Sequence, residues 1–75
     1  MNCMMSELDR VIEKLLEQRD FYLNTLKHLD FGLVMDPSED EIKNIRKLQT
    51  ITVDQIKKIE QEVAFLTSKN NEKMQ

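Results

Sequence analysis

Gln18-Arg19-Asp20-Phe21-Tyr22-Leu23-Asn24-Thr25-Leu26-Lys27-His28-Leu29-Asp30 decides how the chain folds. Counted outward in steps of three and four, Leu8, Ile12, Leu15, Arg19, Tyr22, Leu26, Leu29 and Leu33 occupy alternating a and d positions of a heptad, with no skipped step. This predicts one long helix with a continuous apolar seam, and these eight residues are expected to form the interface with a second copy of the chain. Leu16, Phe21 and Leu23 fall outside that seam, so a bare two-stranded coil would leave them partly wet. A second helix folded back over them is therefore expected, with Phe21 against it and Tyr22 at an interface with another copy, because the two side chains project about 100° apart.

Composition sets the outer limits. Seventy-five residues with one Gly, one Pro and 40% hydrophobic residues make a single folded unit over residues 1–75, neither a linker nor a disordered tail. A core of this size is marginal alone, and Cys3, the single cysteine, offers no disulfide framework. A second copy is the expected source of further burial. Fourteen acidic against eleven basic residues, mixed along both helices, leave no basic stripe for a nucleic-acid backbone. No apolar run reaches the length of a membrane span, and Met1 to Met5 is too short and too polar for a signal peptide, so the cytoplasm is the expected compartment.

Helix 1 is expected over about residues 6–32. Ser6 with Asp9 three positions later suits an N-cap, although Met1 and Met5 continue the heptad count and allow an earlier start. Gly32 is placed to close the helix in a left-handed conformation. Asp36-Pro37-Ser38-Glu39 then offers Asp36 as N-cap with Pro37 at the first helical position, and Ser38 with Glu41 offers a second register. A connection this short requires antiparallel neighbouring helices.

Helix 2, over about residues 37–68, carries Ile42, Ile45, Thr52, Ile56, Ile59, Val63 and Leu66 on one face, with Gln49 the polar member and Leu48 and Ile51 beside it. Thr50-Ile51-Thr52-Val53 is a β-branched run, and Thr52 with Gln55 reads as a fresh capping box, so a break at 50–53 is an alternative to one continuous helix. Ser68 to Gln75 is polar and expected to fray. Arg19, the one charged residue in the first seam, can pack its stem while its guanidinium reaches out to a carboxylate on the partner helix. The fold expected is all-α, a helical hairpin that dimerises through a parallel coiled coil into a four-helix bundle.

The tetrapeptide Arg19-Asp20-Phe21-Tyr22, with Leu26, is similar to the signature of the C-terminal homology domain of the microtubule plus-end-tracking end-binding family, usually written Glu-Arg-Asp-Phe-Tyr-Phe-x-Lys-Leu-Arg-x-Ile-Glu. Leu23 stands for the second Phe, Lys27 for Arg, Leu29 for Ile and Asp30 for Glu, while Gln18 and Thr25 depart from it. The likeness covers about a fifth of the chain. It implies a parallel homodimer with a cleft that accepts short Ser-x-Ile-Pro-type peptides of other plus-end-tracking proteins. By motif position that cleft would involve Tyr22, Leu23 and Leu26, rimmed by Lys27 and Asp30. In this family microtubules are gripped by a calponin-homology domain, so this chain would reach the cytoskeleton only through a separate N-terminal domain. The acidic Glu-Glu-Tyr tail of many members is not found at Ser68–Gln75, and its glycine-rich partner domains are not carried over.

Catalysis has little to stand on: no Ser or Cys has a neighbouring His with an acid to orient it, and there is no glycine-rich phosphate loop. His28 lacks a ligand set and reads as a surface histidine, and Cys3 lacks an activating base, so no metal or cofactor is expected. Two functions compete. One is the dimerising, partner-recruiting domain of a plus-end-binding protein; the other is a structural oligomerisation bundle without a peptide groove. An exposed cleft at Tyr22, Leu23 and Leu26 would distinguish the first.

Overall fold

A computed structural model describes the backbone of residues 6–74 and the side chains of residues 6–69. It is an all-α hairpin of two packed helices, α1 (Glu7–Leu33) and α2 (Glu39–Met74). The earlier start through Met1 and Met5, and the reading of Cys3, lie outside the described residues.

Local chemistry sets the helix ends. Ser6 Oγ accepts from the Asp9 backbone N–H at 3.1 Å and Asp9 Oδ2 accepts from the Ser6 N–H at 3.4 Å, a reciprocal cap. At the other end Gly32 does not take the left-handed conformation expected of it. The helix runs on to Leu33 and closes with the Val34 N–H on Phe31 O and the Met35 N–H on Gly32 O, while Asp36 takes the positive φ of 57°. An aspartate tolerates that region better than most residues. With Asp36 held there, the second register wins: Ser38 Oγ accepts from the Glu41 N–H at 3.2 Å and Glu41 Oε1 accepts from the Ser38 N–H at 2.7 Å.

The β-branched run does not break α2. Thr50 and Thr52 donate their hydroxyls to the carbonyls of Arg46 and Leu48, four residues back, which satisfies both hydroxyls inside a continuous helix. Thr52 is among the most buried side chains, and a fresh cap there would pull it out of the helix interface. The polar end also stays helical, to Met74.

Each helix turns one face to the other. On α1 the half-buried positions include every seam residue from Leu8 to Leu33; on α2 they run from Ile45 to Leu66 around buried Thr52, Ile56 and Ile59. Within one chain the α1 seam therefore faces α2. Gly32 allows the close approach near the hairpin end, since a Cβ there would lie 3.2 Å from Ile45 Cδ1. Phe21 is a correction: at 66% exposure it does not pack against α2, and its neighbour Tyr22 takes that direction. The two helices do fold back on each other, but α2 covers the seam and leaves both Phe21 and Leu23 of the expected contact exposed, with Leu16 half-buried.

Candidate functional site

The hairpin has two broad sides, and two contacts tell them apart. Gly32 of α1 and Met35 and Pro37 of the connection share a groove of about 370 Å³ with Glu41, Asn44 and Ile45 of α2, which marks one side. Asp30 accepts a hydrogen bond from Gln49 at 2.8 Å, which marks the other. Burial repeats at steps of three and four without a slip from Leu8 to Leu33 on α1 and from Ile45 to Leu66 on α2, so steps of seven residues stay on one side of each helix.

Stepping back from Gly32 leads through Thr25 and Gln18 to Val11 on α1, and Phe21 shares a groove with Gln18, which puts it on the same side. Stepping forward from Glu41 and Asn44 leads to Leu48, Ile51 and Phe65 on α2. All five are exposed, and Phe65 carries the Lys69 ammonium 5.6 Å from its ring centroid. Phe21 stands edge-on to Tyr22, with centroids 5.6 Å apart and planes at 69°. A groove of about 330 Å³ beside this pair is lined by Lys14, Glu17, Gln18, Phe21 and Tyr22. This first side is an aromatic and aliphatic strip with charges between.

The second side carries Leu16, Leu23 and Asp30 from α1 and Gln49 and Val53 from α2. Leu23 is 41% exposed, and Lys27 and Asp30 lie on the surface beyond it. Nearby on α2, Arg46, Gln49, Thr50, Val53, Asp54 and Lys57 line a shallow groove of about 420 Å³.

The five positions expected to hold a peptide are thus divided. Leu23, Lys27 and Asp30 are solvent-facing, while Tyr22 and Leu26 are half-buried on the face turned to α2. The groove that includes Tyr22 opens on the first side, away from Leu23. Arg19 is half-buried in the seam; among the described residues its guanidinium reaches only Asp20, at 3.9 Å, and its Nε has no hydrogen-bond partner. The seam that holds Arg19, expected to face a second copy, faces α2 within the chain.

Phe65 was not singled out in the sequence. The signal was available, since Leu48, Ile51 and Phe65 share a flank at helical spacing, but the stronger seam beside them masks it. Among the described residues no three His, Cys, Asp or Glu side chains group to hold a metal ion, and no helix is long and apolar enough to cross a membrane. The described surface carries apolar strips with interleaved charges on a packed helical pair.

These features define a helical-hairpin protein with unpaired apolar surface. Comparisons with protein-family models, with curated proteins and with solved structures give no match for this chain.

Proposed function

We propose that the chain is a dimerisation and partner-recruiting module. The carrying observation is the imbalance of its apolar residues: among the described residues only Ile56 and Ile59 are buried hydrophobics, while eleven large hydrophobic side chains are exposed. Two helices with so little dry core sit at the margin of independent stability, and exposed apolar strips are surfaces waiting for cover. Association supplies it. Because the α1 seam already faces α2, the exposed flanks are the surfaces left for partners.

Recruitment is assigned to the second side, where Leu23 offers an apolar contact close to Lys27 and Asp30. Short Ser-x-Ile-Pro-type segments of plus-end-tracking proteins are the candidate class, and the cytoplasmic microtubule cytoskeleton the setting, on the resemblance at Arg19–Leu26 alone. Leu23 gives less stacking surface than an aromatic ring, and Lys27 gives a point charge in place of a planar fork, so the preferred peptide differs from the family's. Titration with a basic Ser-x-Ile-Pro peptide, and with a control in which Ile and Pro are both replaced by Asn, tests this. Saturable binding of the first peptide alone supports recruitment; equal or undetectable binding of both removes it.

The second reading, a structural oligomerisation bundle without a groove, is favoured by the turning of Tyr22 and Leu26 toward α2. Failure of the peptide titration with a dimeric mass in sedimentation selects that reading.

A further inference from the structure

We propose that a second copy of this chain covers the first broad side, the two hairpins pointing the same way, so that α1 of each copy lies over α2 of the other. This rests on the dimerisation reading above and adds to it a face and a direction. The site consists of Val11 and Phe21 on α1 and Leu48, Ile51 and Phe65 on α2, five of the large exposed hydrophobics gathered on one side. The side belongs to a body 54 Å long and 24 Å wide, which exceeds the roughly 800 Å² per partner that a stable interface covers.

Charge selects a second copy and fixes its direction. The Asp30–Gln49 bond and the Gly32–Ile45 approach set which residues of α1 and α2 are level. Counting along both helices from them puts Glu7, Val11 and Lys14 within one turn of the levels of Lys69, Phe65 and Glu62. Phe21 falls between Gln55 and Lys58. All of these belong to the first side by the same steps of seven.

A two-fold axis along the hairpin keeps every level and lays α1 over the partner's α2. Lys14 then meets a copy of Glu62, Glu7 meets Lys69, Val11 meets Phe65, and Phe21 lies on the stem and ammonium of Lys58. Each relation occurs twice, as a two-fold interface requires. The opposite-charge pairs flank the apolar contacts, and Phe21 gains a cation–π neighbour of the kind Phe65 already has in Lys69. Within one chain the only ion pair among the described residues is Arg19–Asp20, so Lys14 and Glu62 do not pair with each other there.

A two-fold axis across the hairpin, passing through the level of Phe21, is the alternative. It lays each α2 on its own copy and brings Lys58 against Lys58, while Lys14 loses Glu62. Like charges meeting in an apolar patch disfavour that arrangement.

The test is disulfide trapping between singly substituted chains. In a Cys3→Ser background, a chain with Val11→Cys is mixed with a differently sized tagged chain carrying Phe65→Cys, equilibrated and oxidised. The proposal expects the mixed disulfide to exceed both symmetric disulfides severalfold, since Val11 meets Phe65 and not its own copy. Gln18→Cys mixed with Lys58→Cys gives the same result with all five apolar residues of the patch in place, at the loss of the Lys58 ammonium beside Phe21. Each chain's helicity is checked by circular dichroism. If neither mixed pair is enriched while the unaltered chain sediments as a dimer, the face or direction assigned here is wrong and the dimerisation reading stands. If the unaltered chain is a folded monomer throughout the micromolar range, both fail.

Discussion

Gln49 donates from its side-chain amide to Oδ1 of Asp30 at 2.8 Å, joining α2 to α1 near the hairpin end. Among the described residues no other side-chain hydrogen bond crosses between the helices. Apolar seams of similar residues tolerate sliding by a turn, whereas a polar pair satisfied in one alignment does not. Register is therefore the property this bond secures.

Its contribution is measurable. Asp30→Ala and Gln49→Ala should each lower the unfolding midpoint, and a double-mutant cycle should give a coupling of about 1 kcal/mol, reduced from the charged-group range because Asp30 is exposed. A coupling near zero in denaturant titration would show that the seam sets the register without it.

Arg19 presents the opposite case. Among the described residues its half-buried guanidinium reaches only Asp20 and its Nε is unsatisfied, so the seam carries the desolvation cost of a charge with little return. Arg19→Met keeps the aliphatic stem and removes the charge. It should raise hairpin stability by about 1 kcal/mol, read as a higher thermal midpoint. A lower midpoint would mean that the guanidinium finds an acceptor in the assembled protein.

The loop tests cap against conformation. Ser38→Ala removes the hydroxyl that holds the Glu41 N–H and should cost about 1 kcal/mol. Asp36→Gly relieves a positive φ and should be neutral or stabilising, whereas an N-cap at Asp36 would make the same change destabilising. Chemical denaturation of the two variants separates the registers.

How far the fold was legible follows from these residues. The hairpin, the Ser6 cap and the apolar face of α2 are written in local spacing, which a heptad count reads directly. Which surface the second helix covers is not local. Tyr22 and Phe21 are adjacent, both aromatic and both amphipathically placed, and only the packing of α2 along the whole seam decides that Tyr22 turns in and Phe21 out. Gly32 was misread for a related reason. Glycine suits both a left-handed cap and a close helix approach, and the second use depends on Ile45, thirteen positions away. The candidate peptide site divided along the same line, since Leu26 belongs to the seam and Leu23 to the flank.

Gly32→Ala is accordingly a test of packing. Removing a glycine from a helix gains up to about 1 kcal/mol of propensity, while the new Cβ presses on Ile45 Cδ1, the movable end of a half-buried side chain. The net change should be a small stabilisation. In an Ile45→Val background, which removes that methyl, the gain from Gly32→Ala should be larger than in the unaltered chain. Equal gains in both backgrounds would show that the helices do not approach closely there.

Phe21 and Tyr22 give the sharpest contrast between folding one chain and joining two. Tyr22 is half-buried on the face turned to α2, so Tyr22→Ala should unfold the hairpin by about 2 kcal/mol, below the 3–5 kcal/mol of a fully buried aromatic, and should do so at any protein concentration. Phe21 leaves 66% of its surface in solvent, so Phe21→Ala removes little that a single chain uses. If Phe21 is buried by a partner copy, the loss appears only through association. The unaltered chain should then melt at a temperature that rises with concentration, because the dimer draws on the folded state by mass action. Phe21→Ala should flatten that dependence and converge on the unaltered midpoint at high dilution. Thermal melts of both variants over a hundredfold range of concentration provide the measurement, and a Phe21→Ala effect that is large and independent of concentration would place Phe21 in the hairpin's own packing.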